Sequence, residues 1–207
     1  VAQKGSGRLT AKIRAFIALD LPENVRGTLA DLQEQLRQQH LRARWVPVEN
    51  VHLTLRFLGE IPSGMLPQVA ALVGESARGV PAFDLVLQGM GAFPTLGRAR
   101  VVWAGLGGAI SGLAAFKKRL DRELMALDPA NFPAERRAFK GHLTLARIKS
   151  RPDARTVVNA VTRVSGFAPL AFCADTLVLY ESRLTPSGAL YTPRGTYRLP
   201  RVPAGGA

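Results

Sequence analysis

The tetrapeptide His52-Leu-Thr-Leu55 returns as His142-Leu-Thr-Leu145, and this repeat constrains the fold more than any other feature of the chain. Each copy lies in a short apolar run that reads as a β-strand, and strand side chains alternate between faces. His52 therefore shares a face with Thr54, and His142 with Thr144, while Leu53, Leu55, Leu143 and Leu145 point the other way into a core. The repeat uses two of only three histidines. Two packing accidents would not choose the same residues at the same phase, so the copies read as two walls of one cleft. His40, at a helix end among Arg37, Arg42 and Arg44, reads as a solvated or helix-capping residue.

An imidazole beside a hydroxyl on each wall suits an in-line displacement at phosphorus. One ring takes a proton from the attacking oxygen and the other gives one to the leaving oxygen. Imidazole does either near neutral pH. Threonine hydroxyls hold charge on the non-bridging oxygens. Such a set needs no metal and no covalent intermediate.

The flanking pattern mixes helices and strands. Residues 14–19 read as a buried strand, and Asp20-Leu-Pro22 as a cap opening a helix. Val25, Leu29, Leu32 and Leu36 form one face of that helix, which ends near His40. Residues 45–48 are extended, and 51–58 form a strand closed by Gly59. Further helices are expected over 62–77, 111–127 and 152–164, and strands over 82–90, 100–106, 141–148, 176–181 and 191–198. Regular βαβ alternation is lacking, so the class is α+β with mostly antiparallel sheets. A single domain over 11–200 is expected, with a flexible tail at 1–10 and a loose one at 201–207.

Composition narrows the partner. There are 28 Lys and Arg against 15 Asp and Glu, a net +13, which favours a polyanion and above all nucleic acid. With 47% hydrophobic residues in 207, the chain builds a real core and is not disordered. One cysteine, Cys173, excludes an intrachain disulfide and a Cys-rich zinc site, and fits a reducing compartment. Neither a signal-peptide pattern nor an apolar run near the roughly 18 residues of a membrane span is present. A cytoplasmic monomer without membrane association is the expectation.

Together these stretches resemble the 2H phosphoesterase superfamily, and most closely its RNA 2′,3′-cyclic phosphodiesterases, also called 2′-5′ RNA ligases. The likeness runs through Arg14-Ala-Phe-Ile-Ala-Leu-Asp-Leu-Pro22 and Trp45-Val-Pro-Val-Glu-Asn-Val-His-Leu-Thr-Leu-Arg-Phe-Leu-Gly-Glu60. It continues through Phe93-Pro, Arg100-Val-Val-Trp103, Phe139-Lys-Gly-His-Leu-Thr-Leu-Ala-Arg147, Leu179-Tyr-Glu-Ser182 and Tyr191. The resemblance implies two pseudo-symmetric α+β lobes, each with a mostly antiparallel sheet, around a central cleft. It implies opening of an RNA 2′,3′-cyclic phosphate end to a 2′-phosphate, with His52 as proton donor to the leaving 3′-oxygen and His142 as proton acceptor from water. Reversal would join such an end to a 5′-hydroxyl without ATP. One departure is Gly141, where the family often has proline.

Thr54 and Thr144 are the expected phosphate-binding residues. Strict alternation puts Arg56 on the His52 face and takes Arg147 off the His142 face, although the family pattern carries an arginine at 147. Arg100 and Lys140 are candidates for added charge around the cleft. Phe16 and Tyr180 are candidates to touch a base or ribose, with core packing favoured for Phe16. Trp45 and Trp103 are assigned to packing.

No cofactor is expected. The glycine cluster Gly105–Gly112 lacks the Gly-Lys-Ser/Thr of a phosphate loop, and no Lys-x-Asp-Gly of a nucleotidyl-transferring ligase is present. Three dispersed histidines argue against a catalytic metal. Two alternatives stay open: an enzyme for small cyclic phosphates, such as nucleoside 2′,3′-cyclic phosphates or a cyclic phosphate of ADP-ribose, and an RNA-binding module without turnover.

Overall fold

The computed structural model describes residues 11–135, 137–148, 154–186 and 188–201. The expected tails at 1–10 and 202–207, and Ser187 of the late turn, lie outside the described residues. The elements run β1 (Lys12–Leu19), α1 (Glu23–Gln38), β2 (Ala43–Trp45), β3 (Leu53–Pro62), α2 (Leu66–Ala77), β4 (Phe83–Phe93) and β5 (Val101–Gly108). They continue with α3 (Ile110–Leu127), β6 (His142–Ile148), α4 (Ala154–Val164), β7 (Leu170–Ala174), β8 (Thr176–Leu184) and β9 (Ala189–Arg198). Two antiparallel sheets result, in the orders β3-β1-β8-β9 and β2-β6-β5-β4-β7. Each sheet owns one copy of the repeated tetrapeptide.

The helices cross between the sheets. α1 follows β1 of the first sheet but packs against β6 and α4 beneath the second. α3 follows β5 of the second sheet, touches β4, and reaches α2 and β3 of the first. Leucines of both repeats enter one shared core, where Leu53, Leu55, Leu143 and Leu145 meet Ile17, Leu29, Leu36, Leu120 and Leu124. Burying a leucine stabilises by about 2 kcal/mol, so the alternation of these strands is strongly held.

That alternation is interrupted at the same place in both strands. Opposite β1, the pairing passes from Ala18 with Thr54 to Ile17 with Arg56, leaving Leu55 as an extra residue. Opposite β5, it passes from Trp103 with Thr144 to Val102 with Ala146, leaving Leu145 extra. A bulge inverts the phase of the residues beyond it, in β3 as far as a second slip at Leu58. Arg56 is thereby turned off the His52 face, and Phe57 takes its place. Arg147 is turned onto the His142 face. Both expectations from strict alternation are corrected by the same device. The Leu145 bulge is held by Gln33, a buried side chain of α1 that donates to the carbonyls of Leu145 (2.9 Å) and Val46 (2.7 Å).

Arg56 is not a substrate contact here. It is 5% exposed and donates to the Pro133 carbonyl at 2.5 Å. It also stands 3.6 Å from both Asp121 and Glu135, which Lys117 joins at 2.6 and 2.5 Å. This cluster ties β3 to α3 and to the loop that leads into β6.

Other differences are local. β3 runs through Gly59 to Pro62, and β7 pairs with β4 where no strand was expected. Asp20 does not cap α1; its carboxylate pairs with Arg26. The described part of the C-terminal tail is tied down. Ala82 N–H donates to the Pro200 carbonyl at 2.9 Å, and Arg201 grips Asp175 at 2.8 Å. Among the described residues no helix is long and apolar enough to cross a membrane.

Removing one member of a buried charge cluster leaves the others uncompensated. Arg56→Ala is expected to cost about 3 kcal/mol in urea unfolding, and a loss below about 0.5 kcal/mol, the size of an ordinary surface change, would contradict the assignment.

Candidate active site

His52 stands at the mouth of β3 and His142 opens β6. Each ring is pinned in the same way. Nδ1 of His52 lies 2.8 Å from the Asn50 carbonyl, and Nδ1 of His142 lies 2.7 Å from the Lys140 carbonyl. A carbonyl only accepts, so both Nδ1 atoms carry the proton, and each Nε2 is left for the cleft. The Asn50 carbonyl is itself held in place. It belongs to a 3₁₀ turn, Val48–Asn50, whose Val48 and Glu49 carbonyls accept from Arg26, both at 3.0 Å, and Asn50 Nδ2 donates to Ala189 of β9 at 3.0 Å.

Aromatic rings wall both histidines. Phe16 stacks under His52 at 4.6 Å, and Tyr191 meets the same imidazole edge-on at 5.3 Å. Tyr180 stacks on Phe16 at 5.1 Å and stands 6.3 Å from His52. Phe16 is 2% exposed, so it supports the histidine from beneath and is not open to a base. Tyr180 and Tyr191 are half-buried and line a cavity of about 270 Å³ with His52, Asp20 and Arg26.

Around His142, Phe93 packs edge-on at 4.9 Å and Trp103 lies 6.3 Å away. Trp103 is therefore part of the cleft wall as well as packing. Its indole lies across β4, where a Cβ on Gly91 would come within 2.3 Å of the ring. Lys140 sets its ammonium 4.5 Å over Trp103 and 5.5 Å over Phe93. Trp45 sits apart, under the Arg37 guanidinium at 4.8 Å.

Thr54 and Thr144 face the cleft beside their histidines. Among the described residues neither hydroxyl is engaged by another protein group, so both are available as donors. Arg147 is exposed, and its charge is felt at His142 of its own sheet and at Tyr191 of the other. Arg100 is exposed at the start of β5, where its carbonyl accepts from Ile148 at 2.9 Å.

Both imidazoles disfavour the charged form. Burial pushes the His52 pKa down to about 4, against the Asn50 hydrogen bond and the Asp20 carboxylate, which favour protonation. Arg26 and His142 add their positive charge to the lowering, so the charge of His142 reaches His52. The His142 pKa is also lowered, first by burial and then by Lys140 and Arg147, against its hydrogen bond to the Lys140 carbonyl. The pair can move protons in both directions around a group placed between them.

The family model described as "LigT like Phosphoesterase" matches residues 19–103 and 110–191. The chain belongs to the LigT-like phosphoesterase family. A relative named RNA 2′,3′-cyclic phosphodiesterase from Thermus thermophilus is 35% identical, with 87% of each chain covered. One of the same name from Thermotoga maritima is 32% identical over 86% of this chain and 91% of its own. Among solved structures, TT0787 of Thermus thermophilus superposes with a TM-score of 0.76 at 31% identity, covering 91% of this chain and 99% of that one. The LigT-like frame also bears on Gly141. A Cβ there would press on the tip of Ile110 at 3.3 Å and make ordinary contacts with Leu106 and Phe139 at 3.8 Å, and its backbone does not adopt the left-handed conformation that demands glycine.

For several groups around the LigT-like site the sequence carries no signal of the role they take, even where Phe57, Phe93 and Tyr191 lie in the stretches that resemble the family. The carbonyls of Asn50 and Lys140 are backbone groups, so residue type is silent about them. Arg26, Gln33, Phe93, Tyr191 and Phe57 take their places through long-range packing and the bulges.

The geometry predicts a titration that nitrogen-resolved NMR reads directly. At pH 7 both rings should be neutral with the proton on Nδ1, His52 should charge only near pH 4, and His142 below 6.5. A midpoint at or above the ordinary value of about 6.5 for either ring, or an Nε2–H tautomer, would contradict the arrangement.

Proposed function

We propose that this protein hydrolyses RNA 2′,3′-cyclic phosphate ends to 2′-phosphates by two-histidine acid–base chemistry. The observation that carries the reading is the doubled arrangement: a pinned imidazole with free Nε2 beside an unengaged threonine hydroxyl, once on each wall of one cleft. The relatives' shared activity supports the substrate.

In the reaction, His142 Nε2 takes a proton from water as its oxygen attacks phosphorus. The P–O3′ bond breaks, and His52 Nε2 gives its proton to the leaving 3′-oxygen. The product carries a 2′-phosphate and a 3′-hydroxyl. Thr54 and Thr144 donate to the non-bridging oxygens, and Arg147 balances their charge. The role assignment rests on the family resemblance: beside His52 the Asp20 carboxylate, which favours protonation, is countered by Arg26, and beside His142 both Lys140 and Arg147 disfavour it. Burial opposes a charged His52 in the empty site, and the anionic phosphodiester offsets that cost on arrival. Run backwards with a 5′-hydroxyl in place of water, the same steps join RNA ends by a 2′-5′ linkage, consuming the cyclic phosphate and no ATP. Both histidines come from one chain, which supports action as a monomer, and two imidazoles with two hydroxyls supply the proton transfers without a metal.

The decisive assay is an oligoribonucleotide ending in a 2′,3′-cyclic phosphate. Turnover should survive EDTA and yield the 2′-phosphate; loss on chelation with rescue by a divalent ion, or a 3′-phosphate product, would overturn the scheme. His52→Ala and His142→Ala should each lower kcat by at least about 10²-fold. The pH profile provides a further check. Since kcat/KM reports the free protein and kcat the complex, the anionic substrate should place the bell of kcat at higher pH than that of kcat/KM. Coincident bells, or the reverse order, would remove the phosphate's role in protonating the site.

A further inference from the structure

One polar side chain is buried where a helix would ordinarily place hydrocarbon. α1 turns Val25, Leu29, Leu32, Gln33 and Leu36 inward, and Gln33 is the polar member of that face at 2% exposed. A leucine there would fill the space without the cost of taking an amide out of water. The amide has two acceptors in place. Its nitrogen donates one hydrogen to the Leu145 carbonyl (2.9 Å) and the other to the Val46 carbonyl (2.7 Å). Leu145 is the extra residue of the β6 bulge, and Val46 is the first residue past the end of β2, the strand paired with β6. Val46 N–H donates to the same Leu145 carbonyl at 3.0 Å. Gln33 thus closes a ring of hydrogen bonds around the residue at which β6 changes phase.

That phase works against a repulsion. In β2, Arg44 stands directly opposite Arg147, and opposed residues of an antiparallel pair share a face. Both are exposed, and Arg44 reaches the Pro186 carbonyl at 3.4 Å. Among the described residues neither guanidinium is paired with a carboxylate. The Lys140 ammonium lies over Trp103 and Phe93 on the same wall, and His142 feels it together with Arg147. Like charge crowded on one face favours strict alternation, which would carry Arg147 off the wall. A backbone lock at Leu145 opposes that return.

Building on the proposed activity, we propose that Gln33 is a positioning residue: by holding the Leu145 bulge it keeps Arg147 on the His142 wall, where the guanidinium balances the phosphoryl charge. Gln33 touches no reacting atom. It sits on the core side of the sheet and acts through the phase of the β6 backbone. In the other half the residue beyond the Leu55 bulge is locked by the Arg56 cluster, so the loss of Gln33 is felt on one wall.

The test uses Gln33→Met and Gln33→Leu, which both fill the space and remove both donors. On the oligoribonucleotide ending in a 2′,3′-cyclic phosphate, each should lower kcat roughly tenfold, and Arg147→Ala should lower it roughly a hundredfold. In the Arg147→Ala background the Gln33 changes should cost less than about twofold, because they act through a guanidinium that is gone. Nitrogen-resolved NMR adds a readout that needs no turnover. In the Gln33 variants the His142 midpoint should rise, since a cation that lowers it has left. His52, on which Arg147 is not among the charges acting, should hold at about 4. Equal losses in both backgrounds, an unmoved His142 midpoint, or equal shifts of both rings would make Gln33 a packing residue and overturn the proposal. Failure of both variants to fold would do the same. Wild-type protein that leaves the cyclic phosphate intact would overturn the activity instead, and the titration would still decide whether Gln33 places Arg147.

Discussion

A strand offers alternate residues to one face only while its pairing stays in step, and in both halves of this molecule the pairing slips at the leucine after the threonine. The slip lets each strand satisfy two demands that strict alternation sets against each other. Leu53 and Leu55, and Leu143 and Leu145, remain in the core, while Phe57 and Arg147 are returned to the cleft. Without the bulge a buried cation would face the site and an exposed ring would be driven into the core. The energy that holds the bulges is local: Gln33 closes the carbonyl at Leu145, and the Arg56 cluster locks the residue beyond Leu55 against α3.

The two histidines are set by backbone groups. Each donates Nδ1–H to the carbonyl two residues earlier, which fixes both the tautomer and the direction of the free nitrogen without a second side chain. The surrounding rings then remove water and push both pKa values down. Burial dominates at both rings, and the charges beside them differ: a carboxylate paired with an arginine near His52, and cations alone near His142. A site that is nearly symmetric in its imidazoles and hydroxyls is thus unequal in the charges around it.

Asymmetry also appears one step further out. The position after the bulge carries an aromatic ring in one half and a guanidinium in the other. The first is an apolar surface and the second a positive charge, so the two walls are equivalent in backbone and unlike in chemistry.

Much of this was legible in the sequence. The repeat predicted two equivalent strands with His and Thr on one face, and the apolar spacing of Val25, Leu29, Leu32 and Leu36 predicted the face that α1 buries. These are period-two and period-3.6 signals, carried by residues near one another in the chain. Arg56 and Arg147 were misplaced because a bulge has no local signature in Leu-Arg or Leu-Ala; it is decided by the register against β1 and β5. The sequence assigns Trp103 to packing and leaves Phe16 between packing and a substrate contact, because a buried ring looks the same in sequence whether it supports a leucine or an imidazole. What the chain alone determined is which residues can do chemistry and the phase in which each strand begins. What tertiary structure decided is which of them meet, since pairing register, ring stacking and the crossing of α1 and α3 join residues that lie far apart along the chain, and no local preference encodes a meeting of that kind.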